Sequence, residues 1–169
     1  MKQQLRVQIR HPQLDDCAAF LEMVHSSRRF HRPWVYAPDS REKFVRFVEK
    51  SQDDRNAGFL ITLNDNGAIA GVINLNEIIR GALQGCFVGF YGAAALAGRG
   101  YMTEGLSLVI TYALRDLKLH RLEANIQPAN KPSIALVKRC GFKREGFSPR
   151  YLKIGGRWRD HERWALIAD

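Results

Sequence analysis

Hydrophobic and polar residues follow two different periods along this chain, and the changes between them mark eleven elements. Short apolar or alternating runs bounded by turn residues predict strands, and apolar residues spaced three and four apart predict helices. The predicted strands cover residues 5–10, 58–63, 69–75, 85–91, 121–126, 142–154 and 157–167. The predicted helices cover residues 15 or 16 to 28, 39 or 40 to 48, 103–117 and 130–141. This order predicts an α/β domain with a mixed central sheet and helices on both faces.

Turn and cap residues support these boundaries. Asp65, Asn66 and Gly67 fit a hairpin turn between the second and third strands, and the Gly155–Gly156 pair fits one between the last two. Asn130 has the side chain of a helix N-cap, and Gly141 is a favoured residue just after a helix C-terminus. Gly89 lies inside a strand pattern, where it predicts a bulge or a packing requirement.

The length and the cysteine content narrow the class of protein. A chain of 169 residues predicts one domain, spanning 1–169, that is long enough to bury a core. The three cysteines are odd in number and contain no CxxC pair, so neither a disulfide framework nor a metal site is predicted. No apolar run is long enough to cross a bilayer, and the first residues do not read as a signal peptide. We therefore expect a cytoplasmic protein with no membrane partner.

The formal net charge of +9 favours an acidic partner. A phosphorylated cofactor, RNA or a ribosome would each fit, and a generally basic solvated surface fits equally well. DNA is not an expected partner, and an RNP-type motif is missing from the sequence.

Residues 98–104, with the sequence GRGYMTE, follow a predicted strand and begin a predicted helix. The first N–H groups of a helix are unpaired and favour a phosphate or pyrophosphate. The segment lacks the GxxxxGK[ST] pattern of a P-loop and the GxGxxG pattern of a dinucleotide fold. The sequence thus predicts that this segment binds a phosphorylated cofactor of another kind. The alternative is that the glycines only form a turn between the strand and the helix.

Four motifs occur in a fixed order, and together they carry a resemblance to a family. They are GRGYMTE at 98–104, RLEAN at 121–125 with NKPS at 130–133, GFKREG at 141–146, and YLKIGGRWRDH at 151–161. With the element order, they resemble the GNAT N-acetyltransferase superfamily, and within it the RimJ/RimL group of ribosomal-protein N-acetyltransferases. The resemblance covers nearly the whole chain. It implies a twisted, mostly antiparallel sheet and transfer of an acetyl group from acetyl-CoA to an amine in a ternary complex.

The resemblance also implies a set of residues that bind acetyl-CoA. They are Phe90, Ala95, Gly98, Arg99, Gly100, Tyr101, Met102, Thr103, Asn130, Ser133 and Lys138. Two positions depart from the family pattern. Ala95 stands where the family usually has Gln or Arg, and Phe87 stands where many relatives carry a glutamate base. We therefore expect weaker side-chain support for the pyrophosphate and no base at the usual position.

Three residues are candidates for the chemistry. Ser133 is either the proton donor to the leaving thiolate or a first-turn capping residue. Asn125 either faces the thioester or ends its strand. Glu104 is either a base acting through a water or an acidic residue that favours the helix dipole. Asp160 and His161 are neighbours on a predicted strand and would point to opposite faces, which disfavours a shared acid–base site.

The acceptor is predicted to be an N-terminal α-amine of a protein, and the resemblance implies a ribosomal protein. Neutralising an α-amine at pH 7 costs about 1 kcal/mol, whereas a lysine amine costs about 4.6 kcal/mol. A site without the usual base supports the first more easily. Trp34, Tyr36 and Trp158 are candidates for the walls of the acceptor channel, or else core residues. The alternatives are a small amine such as a polyamine, an amino acid or an antibiotic, and a non-catalytic RNA- or ribosome-binding module. We expect a monomer or a homodimer.

Overall fold

The computed structural model describes residues 5–168, which form one central sheet with helices on both faces. The strands are β1 (Val7–Arg10), β2 (Ala57–Leu63), β3 (Ile69–Ile79), β4 (Gly85–Gly92), β5 (Arg121–Ile126), β6 (Lys143–Ile154) and β7 (Arg157–Ile167). The helices are α1 (Cys17–Ser26), α2 (Arg28–His31), α3 (Arg41–Lys50), α4 (Tyr101–Arg115) and α5 (Lys131–Arg139). Short 3-10 turns lie at Leu14–Asp16 and Ala94–Leu96. None of the helices in this part of the chain combines the length and the apolar character that a membrane span requires.

The seven strands lie in the order β1-β2-β3-β4-β5-β7-β6. All neighbouring strands in this order pair antiparallel except β4 and β5, which pair in parallel. The predicted mixed, mostly antiparallel sheet is therefore confirmed. The parallel pair lies at the centre, where the chain crosses from β4 through α4 to β5.

Each face of the sheet carries its own hydrophobic core. Leu106 and Val109 of α4 and Val137 of α5 pack on one face, together with Ile61 and Leu122. On the other face, side chains of α1 and α3 pack against Leu60, Val72 and Tyr91. Period-2 alternation along the strands separates the two sets. We call the first face, with α4 and α5, the cofactor face, and the second, with α1 and α3, the acceptor face, after the ligands that the resemblance implies for them.

The first helix is shorter than the sequence predicted. The expected helix from 15 or 16 to 28 is divided at Ser27 into α1 and α2. The Ser27 side chain is buried, and its Oγ accepts a hydrogen bond of 2.9 Å from the Ala94 N–H. A buried serine with a distant backbone partner favours a break that local helix periodicity does not reveal.

The bulge predicted at Gly89 lies elsewhere. The β3–β4 register runs without a shift from Gly71 opposite Gly92 to Asn76 opposite Phe87, and it passes Gly89 on the way. The irregularity lies in β3, between Asn76 and Ile79, where Glu77 has a φ of 51°. Of the two alternatives for Gly89, the bulge is therefore wrong for the β3–β4 pair, because a glycine in a strand pattern does not say which of two paired strands carries the extra residue. The packing alternative stands, since a Cβ on Gly89 would lie 3.4 Å from Asn76 Nδ2.

Candidate active site

The N-terminus of α4 offers unpaired backbone N–H groups in a loop shaped by two glycines. Gly98 has a φ of +75°, and Gly100, the N-cap residue, has a φ of +84°. The N–H groups of residues 98–102 have no acceptor among residues 5–168. Nothing lies within 4 Å of the position that a Cβ on Gly98 would take. The loop therefore has donors and open space for an anion of the size of a pyrophosphate.

Arg6, from the chain segment just before β1, holds this loop in place. Its Nε donates to Glu104 Oε1 at 2.6 Å, and its guanidinium donates to the Arg99 carbonyl at 3.0 Å. The same guanidinium lies 4.7 Å from the centre of the Tyr101 ring. The Glu104 carboxylate also accepts from the Arg6 backbone N–H at 2.9 Å. Glu104 is thus tied to the β1 side of α4, which favours the structural interpretation of this residue over the predicted water-mediated base.

Side chains of α4 fix the helix start on the sheet. A Cβ on Gly71 would fall 2.4 Å from Met102 Sδ, so this glycine leaves the space that the methionine fills. Tyr101, Met102 and Thr103 are half-buried. Their side chains support the helix start while their backbone remains available to a ligand. Ala95 is exposed in the 3-10 turn before the loop and has no side chain that reaches an anion.

Strands β4 and β5 separate close to this loop. Their pairing covers only three positions, from Gly85 opposite Arg121 to Phe87 opposite Glu123. Beyond Phe87, the β5-facing edge of β4 has no strand partner among residues 5–168. Phe90 lies on this free part of β4, half-buried against the cofactor-face core. A free strand edge can hydrogen-bond an extended, amide-bearing ligand such as pantetheine.

We call the gap between β4 and β5 beyond Phe87 the opening. Helix α5 begins five residues after β5 ends and carries the other predicted cofactor residues. Asn130 caps the helix, because its Oδ1 accepts from the Ser133 N–H at 3.4 Å, as predicted. The Ser133 side chain is half-buried, and its hydroxyl has no hydrogen-bond partner in the described chain. At the far end of α5, Lys138 Nζ lies 5.3 Å from the centre of the Trp164 ring, which holds this ammonium group against the sheet.

A cavity of about 500 Å³ lies on the acceptor face, under the segment between α2 and α3. Its floor includes Asn74, Asn76 and Tyr91, which share one face of β3 and β4. Asn74 Oδ1 and the Tyr91 hydroxyl are buried without a hydrogen-bond partner. Burial raises the pKa of the Tyr91 phenol, so it stays protonated. A ligand in this cavity would therefore find one carbonyl-type acceptor and one hydroxyl group unoccupied.

Of the three aromatic residues predicted to wall the acceptor channel, only Tyr36 lines this cavity. The Arg32 guanidinium lies 3.6 Å above the centre of its ring. A Cβ on Gly155, in the β6–β7 turn, would fall 2.2 Å from the Tyr36 hydroxyl oxygen. Tyr36 thus joins the cavity wall to the last hairpin. Trp34 is half-buried outside the lining and Trp158 is 61% exposed, so their role in acceptor binding stays a prediction.

Strands β5 and β7 carry a second polar group on the acceptor face. Asn125 lies two residues beyond the last β4–β5 pair, and its Oδ1 is buried without a partner. Arg159 Nε on β7 is also buried and unpaired. Between them, His161 is only 3% exposed, whereas Asp160 beside it is exposed, so the two point apart as predicted.

Most of the unpaired atoms belong to strands on the two sides of the opening. Residues 5–168 contain five buried side-chain nitrogen or oxygen atoms without a partner, and four belong to Asn74, Tyr91, Asn125 and Arg159. These four lie on β3, β4, β5 and β7, on both sides of the opening. Buried polar groups are normally paired, so a cluster of exceptions marks a site for a polar ligand.

The loop, the opening and the polar cluster offer donors and open space that would suit an anionic cofactor and a second, polar ligand. A family model described as an acetyltransferase (GNAT) domain matches residues 6–143. The chain therefore belongs to the GNAT acetyltransferase family. This membership confirms the predicted fold, the assignment as an N-acetyltransferase and the prediction of acetyl-CoA as cofactor.

Several known proteins are similar to the chain. It is 37% identical over 127 residues to the probable N-acetyltransferase YjcK of Bacillus subtilis, covering 75% of this chain and 70% of that protein. It is 40% identical over 102 residues to the ribosomal protein uS5-alanine N-acetyltransferase of Escherichia coli, covering 60% of this chain and 53% of that protein. The match to the second thus spans about half of that enzyme. The structure of Mycobacterium smegmatis RimJ in complex with CoA-disulfide superposes with a TM-score of 0.88 at 26% identity, over 96% of this chain and 82% of that one.

Proposed function

We propose that this enzyme acetylates the N-terminal α-amine of a protein of the ribosomal type, by direct attack on acetyl-CoA in a ternary complex. The similarity to the uS5-alanine N-acetyltransferase supports this acceptor class. An acceptor of this class would place the reaction in the cytoplasm. The observation that carries the proposal is the charge of the acceptor-face cavity.

The lining of this cavity is cationic. It contains four basic side chains and one carboxylate: Arg32, Lys43, Arg46, Lys50 and Asp39. Two of the basic side chains are paired, since Lys43 Nζ lies 2.6 Å from Asp39 Oδ1 and Arg46 lies 3.1 Å from Glu42. Arg32 and Lys50 have no ion-pair partner among residues 5–168, so the lining keeps a positive charge. A polyamine carries several positive charges and would be repelled here. A peptide brings one amine and an uncharged backbone, and its side chains can be neutral or acidic. The cavity therefore supports a peptide acceptor over a polyamine.

The groups around the opening also suit an α-amine. Phe87 lies on the acceptor face where many relatives have a glutamate, so the enzyme lacks that base for a strongly protonated amine. An α-amine at pH 7 needs only about 1 kcal/mol to become neutral, against about 4.6 kcal/mol for a lysine amine. Asn74 Oδ1 is available to accept a hydrogen bond from the neutral amine or from a peptide N–H.

The chain has matching groups for each part of the cofactor. The N–H groups of residues 98–102 would bind the pyrophosphate, and the free edge of β4 would hold the pantetheine arm. Bound acetyl-CoA supplies an activated acetyl thioester. Ser133, in the first turn of α5, would give a proton to the departing sulfur, and Lys138 would approach the ribose phosphate. Asn125 would orient the acetyl carbonyl from the β5 side.

A thiol-release assay with matched acceptors tests the proposal. Peptides with a free N-terminal Ala or Ser should be acetylated, whereas the same peptides blocked at the N-terminus but containing one lysine should not. Spermidine and free lysine serve as the small-amine acceptors. Turnover restricted to spermidine or lysine would overturn the α-amine assignment, and mass spectrometry of the product locates the acetyl group.

A further inference from the structure

The reaction leaves one proton without an evident acceptor. An amine that attacks a thioester becomes cationic as the new bond forms, so a base must remove its proton. Phe87 cannot do so. Two carboxylates occur on the acceptor face near the opening and the cavity, and both are engaged. Glu123 Oε1 accepts from Arg121 Nε at 2.7 Å, and Asp39 is paired with Lys43.

His161 lies on the same face, on β7, one residue past the last β5–β7 pair. Asn125, two residues beyond the last β4–β5 pair, lies opposite Arg163 on β7. His161 is two residues further along β7 and therefore projects to the same face as Arg163. Diagonal neighbours of this kind on an antiparallel pair are separated by about 7–8 Å. His161 is thus a diagonal neighbour of Asn125, whose Oδ1 is buried without a partner among residues 5–168, near the end of β5 where β4 and β5 are apart.

Its hydrogen bonding fixes the tautomer. His161 Nδ1 lies 2.9 Å from the Arg159 carbonyl oxygen. A carbonyl oxygen can only accept, so Nδ1 carries the proton and Nε2 of the neutral ring carries a lone pair. Within residues 5–168, Nε2 has no hydrogen-bond partner. The ring is further oriented by the edge of Tyr151, with ring centres 6.3 Å apart.

We propose that His161 is the general base of acetyl transfer, and that its Nε2 takes the amine proton directly or through one water. This role rests on the proposed acetyltransferase function. In it, His161 would replace the glutamate base that many relatives have at the position of Phe87. The same pattern, Nδ1–H held by an acceptor and Nε2 left free, is what an imidazole base requires.

The step balances in atoms and charge. A bond forms between the acceptor nitrogen and the acetyl carbon, and the bond between that carbon and the CoA sulfur breaks. The amine proton passes to His161 Nε2, and the electron pair of the broken bond goes to the sulfur. The sulfur is then protonated through the Ser133 hydroxyl, and the imidazolium returns one proton by way of solvent. The products are an amide and free CoA thiol.

The electrostatic surroundings keep the imidazole neutral. Burial lowers the pKa of His161 from its usual 6.5, while the bond to Arg159 and the charge of Asp160 act in the opposite direction. The charged or titratable groups around the ring belong to β5, β6 and β7: Glu123, Tyr151, Arg159, Asp160, Glu162 and Arg163. The base is thus free at pH 7, and activity should fall as the pH drops through the lowered pKa.

The test combines kinetics with a readout in the free enzyme. His161→Asn keeps a donor for the Arg159 carbonyl and removes the base. We expect kcat to fall about a hundredfold or more, which is the range of general-base catalysis. The decrease of kcat at low pH, which we call the acid limb of the pH profile, should disappear. The Kd of acetyl-CoA by calorimetry should not change. In the wild-type enzyme, nitrogen-15 NMR should show the proton on Nδ1 and the lowered pKa without any substrate.

Two further variants separate catalysis from structure. Asp160→Asn removes the charge that raises the His161 pKa but keeps the oxygen that accepts the Arg150 N–H, so it should move the acid limb to lower pH. His120→Asn, at an exposed histidine, is the matched control and should leave both kcat and the pH profile unchanged.

Three results would overturn the proposal: kcat within threefold of wild type in His161→Asn, an unchanged acid limb in that variant, or a proton on Nε2 in the NMR spectrum. The function itself is judged separately. If peptides fail as acceptors and a small amine succeeds, the same pH series is run with that amine, and the role of His161 is still decided.

Discussion

The two faces of the sheet build their halves of the active site in different ways. On the cofactor face, the anion site is made of backbone N–H groups from one continuous stretch, residues 98–102. On the acceptor face, the polar groups are side chains from β3, β4, β5 and β7, up to 87 residues apart in sequence between Asn74 and His161. A site made of local backbone is visible as a motif, whereas one made of distant side chains appears only after folding.

The two halves also differ in whether their unpaired polar groups are buried or within reach of solvent. Around residues 98–102, the unpaired backbone N–H groups belong to exposed or half-buried residues, and the side chains of Glu104 and Asn130 have hydrogen-bond partners. On the acceptor side, four buried side-chain atoms have no hydrogen-bond partner among residues 5–168. Each such atom costs the folded protein about 1–3 kcal/mol. The acceptor half is thus arranged for a ligand at the expense of stability, and the cofactor half is not. The predictions below test this contrast.

The largest expected effect is on the backbone of the cofactor loop. Gly98→Ala puts a side chain on a residue with a φ of +75°, a conformation that costs an L-residue about 1–2 kcal/mol. If the loop relaxes, its N–H groups turn away from the anion, and we expect the Kd of acetyl-CoA by calorimetry to rise about tenfold.

Gly67→Ala is the matched control for this loop. Gly67 has a φ of +73° in the β2–β3 turn, and neither glycine has an atom within 4 Å of an added Cβ. Both variants should lose a similar amount of stability in thermal unfolding, and only Gly98→Ala should lose affinity. Equal affinity in the two variants would show that the geometry of this loop does not determine cofactor binding.

On the acceptor face we expect the opposite combination, a more stable and less active protein. Tyr91→Phe removes a buried hydroxyl without a partner, so the free energy of unfolding should rise by about 1 kcal/mol. The loss of a hydrogen bond to the acceptor, worth about 0.5–1.5 kcal/mol, should raise the acceptor KM about fivefold. Urea unfolding and peptide kinetics measure the two effects.

Tyr112→Phe provides the comparison, because Tyr112 is half-buried on α4 and contacts Phe59 away from the cavity. It should leave the acceptor KM unchanged. If Tyr91→Phe destabilises the protein and leaves KM unchanged, the hydroxyl serves the fold, and the contrast between the two faces fails.

The difference between local and distant contacts also explains which features could be predicted from the sequence. The element order, the loop at 98–104 and the Asn130 cap are encoded by residues close in sequence, and the structure places them as expected. Arg6 acts on a loop more than 90 residues away, and Asn74 and Tyr91 have no motif. Ser27 interrupts a helix through a partner 67 residues away. These features depend on tertiary contacts, which periodicity and capping signals do not contain.

A smaller effect is expected when the support of the loop is removed. Arg6→Met keeps most of the aliphatic stem but removes the contacts with Glu104 and the Arg99 carbonyl. Because the Arg6 side chain of this ion pair is about half exposed, its loss should cost about 0.5–1 kcal/mol and weaken acetyl-CoA binding about threefold. Arg55→Met, which breaks an exposed ion pair with Glu77 far from the loop, should leave the Kd unchanged. If both variants weaken acetyl-CoA binding equally, the change is caused by the lower net charge and not by the loss of the Arg6 contacts.

The smallest effect should be a gain, at the position where this chain departs from its family. Ala95 is exposed three residues before Gly98, so an arginine there can extend toward the bound pyrophosphate without disturbing the core. A solvent-exposed charge pair is worth about 0.2–1 kcal/mol, and Ala95→Arg should therefore tighten acetyl-CoA binding about twofold to threefold. The gain should shrink at high salt, since ions screen exposed charges.

Ala82→Arg adds the same charge in the exposed β3–β4 loop and should not change the Kd. A matching gain from Ala82→Arg would mean that the overall positive field attracts the cofactor, and an unchanged Kd in Ala95→Arg would mean that backbone N–H groups alone already saturate this half of the site.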